Sequence, residues 1–371
     1  MKKIIGYRLF AIMYRIGCLL FKTDFNRYFC VMTHDGSAQS SVGVVITAIA
    51  KSNEKAEFSC FRKENKSKKE FFDLFVIKPF ALAKAGTVLL DNEFLPMAYI
   101  KLKSGVKVVQ LWHGTGTIKK FGHDISSGKM LAIVERADSK ITHLIVNSKY
   151  TKKLYSHTFG VAPERVYITG IPRTDMLFDG RMHAEMKRLF YEEYPELAGK
   201  KLVLYAPTFR DSQIDNPQVM LDFKRWAEST PDDMVLLLRL HPFVAKYYDA
   251  NETAAYSGKI YDMGGYGNLN TLLCVSDVLI TDYSSIIFEY IVFDRPIIFY
   301  AYDLAVFENG SRGFYEDYRQ YVPGAVVYDM DGLIKEINGD DIFEEKRKKF
   351  LNDAYEYKDG RSTERLLELI L

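Results

Sequence analysis

The sequence predicts an α/β protein built as two Rossmann-like halves, and three observations carry that prediction. Short apolar runs bounded by Gly, Pro, Asp or Asn recur along the chain, and stretches with helical spacing separate them. Continuous apolar runs of this kind mark strands buried on both faces, as in parallel sheets covered by helices. The length, 371 residues, is generous for one hydrophobic core and comfortable for two.

The chain opens with "MKKIIGYRLFAIMYRIGCLLFK", which holds five basic residues and no acidic one. Arg15 interrupts any signal-peptide core, and basic residues break every apolar run well short of the ~18 residues a spanning helix needs. Residues 1–25 are therefore expected to form an amphipathic helix. Arg8, Arg15 and Lys22 recur every seven residues, on one slowly drifting face. Such a helix suits the headgroup region of an anionic bilayer. Packing against its own domain is the alternative.

In the first half, "RYFCVMT", "GTVLLD", "VKVVQLW", "THLIVN" and "RVYITG" read as strands; "KLVLYAP", "DMVLLLRL", "DVLITD" and "RPIIFY" follow in the second. Helices are predicted over 148–159, 181–195, 284–293 and the final "TERLLELIL". The charged helical segment after "GIPRTDMLF" divides the chain into domains 1–178 and 179–371, with a cleft between them. The insertion "FRKENKSKKEFFDLF" (Arg62, Lys63, Lys66, Lys68, Lys69) reads as a solvated charge run, or as a patch for lipid or a phosphorylated acceptor.

Composition narrows the function. A net charge of +2 excludes a globally cationic nucleic-acid binder. Four cysteines without CxxC or zinc-type spacing read as reduced thiols of a cytosolic protein. The sequence has no GxGxxG, Walker A, GxSxG or HExxH motif, which counts against hydride transfer, ATP hydrolysis and zinc chemistry.

The chemistry gathers where strands end. In "VVQLWHGTGTIKKFGHD", His113 follows a strand directly; Gly114 and Gly116 permit close approach, Thr115 and Thr117 add hydroxyls, and Lys119 and Lys120 add charge. In "LLLRLHPF", His241 again ends a strand, which suggests a histidine pair facing across the cleft. "SDVLITDYSSIIFEY" runs from a strand through Asp282, Ser284 and Ser285 into an apolar helix, a setting for phosphate, with simple capping as the alternative. "YAPTFRD" adds Thr208 and Arg210. "NGSRGFYED" adds Arg312, suited to a phosphate or to a surface salt bridge. Two strand-end histidines and a phosphate cradle without metal ligands describe group transfer from a nucleotide diphosphate donor to a hydroxyl.

In order and spacing, "WHGTGTIKKFGHD", "YAPTFR", "HP" and "ITDYSSIIFEY…RPIIFYAYD…RGFYEDY…PG" resemble the CDP-glycerol glycerophosphotransferase family of wall teichoic acid synthesis, over roughly residues 87–325. The resemblance implies a GT-B-type fold. Its acceptor-binding first domain and donor-binding second domain face across a cleft, and the C-terminal helix crosses back to the first. It implies transfer of glycerol phosphate from CDP-glycerol, or ribitol phosphate from CDP-ribitol, to a polyprenyl-diphosphate-linked glycan, with release of CMP. By position the base falls on His113, phosphate assistance on His241, and the pyrophosphate on Ser284 and Ser285. Thr208, Arg210, Asp282 and Arg312 complete the donor side; Gly114, Thr115, Lys119 and Lys120 form the acceptor loop.

The expected partners are therefore the CDP-alditol, the lipid-linked acceptor and an anionic membrane surface, with no nucleic acid. The expected location is peripheral, on the cytoplasmic face of the membrane. No cofactor is expected, with a loosely held Mg²⁺ left open. Gly116 stands where the family has proline, and "THDGSAQSSVGVVITAIAK" departs from the family's N-terminal pattern, which leaves the acceptor open. The large extra domain of long teichoic acid polymerases does not accompany these motifs, which points to a primase or short-chain type. A GT-B glycosyltransferase using a nucleotide sugar and a nucleotide-binding scaffold of the cell envelope remain alternatives. A histidine near its ordinary pKa of about 6.5 suits a base at neutral pH. Asp91 and His123 are next in line should His113 not be the base.

Overall fold

All twelve strands of the described residues pair in parallel, in two six-stranded sheets. The computed structural model describes residues 2–62, 72–208, 210, 218–245, 247–249, 251–308, 310 and 313–371. Arg312 and the lysines of the basic insertion (Lys63, Lys66, Lys68, Lys69) lie outside the described residues.

The first sheet holds β1 (Asp24–Met32), β2 (Glu57–Arg62), β3 (Ala85–Leu90), β4 (Lys107–Gln110), β5 (His143–Val146) and β6 (Val166–Ile168), in the order β2-β1-β3-β4-β5-β6. The second holds β7 (Lys201–Tyr205), β8 (Met234–Leu238), β9 (Ile260–Asp262), β10 (Val278–Thr281), β11 (Ile297–Tyr300) and β12 (Ala325–Val327), in the order β12-β11-β10-β7-β8-β9. Alternate residues of the inner strands enter cores on opposite faces. Phe29, Val31, Val88 and Leu90 pack on one side of the first sheet, Cys30, Leu89 and Val109 on the other. Burial on both sides is what writes these strands as unbroken apolar runs.

All nine predicted strands are present. The three unpredicted ones, β2, β9 and β12, are sheet edges. An edge strand needs no double-sided apolar face, and "EFSCFR" is half-buried along its length. Helices Lys149–Thr158, Gly180–Glu193 and Ser362–Ile370 form as expected, the first two capped by Ser148 and Asp179. The helix expected over 284–293 is instead one α-turn, Ile287–Tyr290, and a 3₁₀ turn, Ile291–Phe293, stopped by Asp294 in the left-handed region at φ 48°.

The chain divides into two compact units. One comprises residues up to Gly116, Phe121–Asp175 and Asp353–Leu371; the other comprises Thr117–Lys120 and Met176–Asn352. The boundary thus falls three residues before the expected one, and the last segment, assigned by sequence to domain 179–371, belongs to the first unit. Leu366 and Ile370 enter its core, and the backbone N–H groups of Ser362 and Thr363 each donate to the Asp175 carboxylate at 2.8 Å.

The N-terminal helix runs Lys2–Leu20 rather than over residues 1–25, so Lys22 lies beyond it, and one face packs on its own domain. Phe10, Ala11 and Tyr14 are buried in the core of the first unit. Gly17 marks the crossing with helix Lys78–Lys84, where an added Cβ would stand 2.8 Å from Ala83 Cβ. On the opposite face Ile5, Leu9, Ile12, Ile16 and Leu19 are exposed, an apolar stripe at helical spacing. Arg8 and Arg15 are exposed along its edge. No helix among the described residues is long and apolar enough to cross a membrane.

Candidate active site

Each sheet reverses its strand order once, between β1 and β3 in the first unit and between β7 and β10 in the second. At such a reversal the loops leave toward opposite faces and open a crevice at the carboxyl edge. His34 and Asp91 follow β1 and β3; Thr208 and Asp282 follow β7 and β10. The two aspartates make matching contacts. Asp91 accepts the backbone N–H groups of Thr33 at 3.0 Å, His34 at 3.0 Å and Asp35 at 3.1 Å. Asp282 Oδ1 accepts those of Thr208 at 2.8 Å and Tyr283 at 2.6 Å.

His113 emerges beside Asp91 because Trp112 turns the chain. Trp112 adopts φ 56°, a left-handed conformation that costs a bulky residue on the order of 1–3 kcal/mol. Its N–H donates to the side chain of buried Gln110 at 3.0 Å, and its ring packs on Phe121 and Phe159. The strain is thus held by packing. Gly114 allows the loop to close, since a Cβ there would meet the Gly116 carbonyl at 3.1 Å.

The His113 ring is fixed on three sides. Nδ1 lies 3.0 Å from the main-chain oxygen of Asp91. A carbonyl only accepts, so Nδ1 carries the hydrogen and Nε2 keeps its lone pair. The His34 ring stacks at 3.9 Å and 15°, and the Trp112 ring lies at 4.1 Å and 31°. Burial, with help from the neighbouring His34 and Arg173, lowers the His113 pKa to about 3 against the pull of the Asp91 carbonyl. The imidazole is neutral at physiological pH, and the expectation of a base near 6.5 is corrected accordingly.

Thr115 is anchored rather than offered to a ligand. It is buried, its hydroxyl accepts from Arg173 at 3.0 Å, and its carbonyl accepts from Asn147 at 2.8 Å. Asp91 is buried and committed to its loop; burial raises its pKa against the pull of its N–H donors. His123 is paired with Asp138 at 3.0 Å, a hydrogen bond that raises its pKa. Neither alternative base is available in the way His113 is.

In the second unit, β7 lies between β10 and β8, so the loops carrying Thr208, Asp282 and His241 leave from adjacent strands. Arg210 is buried among two carboxylates: Nε lies 2.7 Å from Asp303, and Nη2 lies 2.8 Å from Asp282 Oδ2, out of line for a hydrogen bond. Tyr283 and Tyr302 flank its guanidinium, and the Tyr283 hydroxyl donates to Asp303 at 2.9 Å. Burial opposes the Arg210 charge, but the Asp303 hydrogen bond and the Asp282 charge outweigh it and raise its pKa. Arg210, expected at the donor phosphates, is engaged by these carboxylates instead.

Ser284 Oγ accepts from the N–H of Ile286 at 3.3 Å, the local cap considered as the alternative. Ser285 Oγ makes no hydrogen bond among the described residues, and the buried Thr208 hydroxyl has no partner among them either. His241 is exposed at the start of the short helix Pro242–Ala245, and its partial desolvation lowers its pKa. Lys119 and Lys120 belong to the second unit. Lys119 pairs antiparallel with Phe314, its ammonium 5.9 Å from the Phe307 ring centre, and the Lys120 N–H donates to Gly313 at 3.2 Å. Among the described residues no group of three or more His, Cys, Asp or Glu could hold a metal ion.

Sequence reasoning missed Asp303, Arg173 and His34. Asp303 stood in view within "YAYD", where a strand-end carboxylate opposite an arginine is a usable signal. Arg173 and His34 act only through the fold and had none.

The sequence profile of the CDP-Glycerol:Poly(glycerophosphate) glycerophosphotransferase family matches residues 13–371. The teichoic acid poly(ribitol-phosphate) polymerase of Bacillus spizizenii is 34% identical over 332 residues, 88% of this chain and 53% of that protein, so the chain spans about half the length of that relative. The teichoic acid glycerol-phosphate primase of Bacillus subtilis is 30% identical over 297 residues, 78% of this chain and 74% of the primase. In fold, the chain is similar to the wall teichoic acid polymerase TagF, with a TM-score of 0.81 at 22% identity, covering 100% of this chain and 95% of the TagF chain. A profile match over nearly the whole length, on a fold of two parallel sheets with a strand-end histidine, places the chain in the CDP-glycerol:poly(glycerophosphate) glycerophosphotransferase family.

Proposed function

We propose that the chain transfers an alditol phosphate from a CDP-alditol to a hydroxyl of a polyprenyl-diphosphate-linked glycan, releasing CMP. The observation that carries this reading is His113: a neutral imidazole at a strand end, its tautomer set by Asp91 and its Nε2 unprotonated. The two units act as GT-B domains, acceptor on the first with His113 and donor on the second with His241. Nε2 of His113 takes the proton as the acceptor oxygen bonds to the phosphorus bearing the alditol. The bond from that phosphorus to the bridging pyrophosphate oxygen breaks, and CMP leaves with the electron pair. Such transfers need positioning and charge stabilisation rather than a covalent intermediate.

On the donor side the buried pairing of Arg210 with Asp282 and Asp303 shapes the loops. Ser285 and Thr208 then offer hydroxyls to the pyrophosphate, His241 offers a neutral ring N–H, and Arg312 offers charge. The exposed stripe of helix Lys2–Leu20, edged by Arg8 and Arg15, seats the protein on the anionic cytoplasmic surface that presents the acceptor.

CDP-glycerol is the donor that the family's description suggests. CDP-ribitol is a second reading, favoured by the 34% identity to a ribitol-phosphate polymerase. A donor screen tests both: CMP release in the presence of lipid-linked acceptor is measured with CDP-glycerol, CDP-ribitol and UDP-sugars, with and without Mg²⁺. Turnover confined to a UDP-sugar would replace the reading by glycosyl transfer, and turnover with none would favour a scaffold.

A further inference from the structure

His34 lies outside every motif that points to the reaction, yet its ring stands against the proposed base. The centroids of His34 and His113 are 3.9 Å apart with planes 15° from parallel, and Trp112 lies 4.1 Å from His113 at 31°. Two rings cannot share one face of an imidazole at these separations, so His34 and Trp112 cover opposite faces. Trp112 is tied to its place by its own backbone and by Gln110. His34 follows another strand, and its backbone is held by Asp91, whose carboxylate accepts the N–H groups of Thr33, His34 and Asp35. The same residue's carbonyl holds Nδ1 of His113. Asp91 thus sets the in-plane edge of the imidazole directly and one of its faces through His34.

We propose that His34 is a positioning residue for the transfer: its ring closes the second face of His113 and holds Nε2 on a single line of approach. A hydrogen bond at Nδ1 alone lets the ring swing about that contact, whereas a ring on each face removes the swing. With both faces covered and Nδ1 engaged, a hydroxyl reaches the lone pair of Nε2 only along the plane of the ring. This inference rests on the transferase reading for its kinetic consequence, but not for its geometry.

The test uses the full chain and two substitutions. His34 is exposed, so both His34→Ala and His34→Phe leave the core intact, which melting temperature checks. His34→Phe keeps a flat ring without nitrogens. Expected are a fall in kcat for CMP release approaching about 10²-fold in His34→Ala, unchanged binding of CDP-glycerol and CDP-ribitol, and recovery of kcat in His34→Phe. A second measurement needs no substrate: in protein labelled with ¹⁵N-histidine, the Nδ1–H tautomer of His113 should hold in all three proteins, while the His113 signals broaden through ring motion in His34→Ala but not in wild type or His34→Phe. If no CDP-alditol is turned over by wild type, the transferase reading falls while the nitrogen spectrum still decides the clamp. Unchanged His113 signals in His34→Ala would overturn the proposal. So would a His34→Phe variant as slow as His34→Ala, which would assign the role to the His34 nitrogens.

Discussion

The main-chain carbonyl of Asp91 lies 3.0 Å from Nδ1 of His113, and this contact decides which imidazole nitrogen is unprotonated. Removing the base should slow chemistry without loosening the donor, because His113 and the donor loops belong to different units. His113→Ala is expected to lower kcat by about 10²–10⁴-fold, with the dissociation constant for the CDP-alditol little changed by titration calorimetry. Loss of donor binding in proportion to rate would move His113 from base to phosphate ligand.

Burial gives His113 a pH signature of its own. Its pKa is about 3 in the folded protein, against about 6.5 when unfolded. Between those values the unfolded chain binds a proton that the native chain does not, so native stability declines as pH falls through that window. The contribution is on the order of a few kcal/mol. Urea unfolding at pH 7 and pH 4.5 should show a smaller loss in His113→Gln than in wild type. The profile of kcat/KM, which reports the free enzyme, should show no His113 limb between pH 5 and 7. A limb near 6.5 that vanishes in His113→Ala would contradict this.

The inner strands and the strand-end histidines were legible because each leaves a local mark. A strand buried on both faces must be continuously apolar, and His113 and His241 follow such runs directly. Edge strands β2, β9 and β12 carry a weaker mark, being short or half-buried. What Arg210 does was not legible. An arginine in "YAPTFRD" reads as a phosphate ligand until the fold brings Asp303 and Asp282 to it. His34 was equally silent, since its stacking depends on β1, β3 and β4 being neighbours.

Arg210 shows how a residue of the expected donor site can act through stability. Removing one partner of a buried ion pair leaves a charge uncompensated and costs about 3–5 kcal/mol. Arg210→Ala should therefore lower the denaturant midpoint sharply, stranding Asp282 and Asp303. Arg210→Lys should recover little, because an ammonium cannot reproduce the fork between two carboxylates. A variant with wild-type stability and impaired donor binding would restore Arg210 to the phosphates.

Ser284 and Ser285 should separate. Ser284 caps the following turn, whereas the Ser285 hydroxyl makes no hydrogen bond among the described residues. Ser285→Ala is expected to weaken CDP-alditol binding by about 1.5–3 kcal/mol, a hydrogen bond to a charged group, at unchanged melting temperature. Ser284→Ala should lower the melting temperature instead. Identical donor affinity in Ser285→Ala and wild type would remove this turn from the donor site.

The exposed stripe on helix Lys2–Leu20 makes the membrane prediction specific to side chains. Ile12 and Ile16 lie 52% and 40% exposed, so charge placed there disturbs a bilayer contact while the buried Phe10–Tyr14 face stays packed. Ile12→Glu/Ile16→Glu should release the protein from anionic vesicles at unchanged melting temperature. Arg8→Gln, Arg15→Gln and Lys22→Gln together should weaken the same binding by about 1 kcal/mol for each cation. Salt separates the two contributions. Raising ionic strength should weaken binding of wild type toward that of the triple glutamine variant, whereas binding through the apolar stripe persists. A double glutamate variant that sediments with vesicles as wild type does would show that the membrane contact lies on another surface.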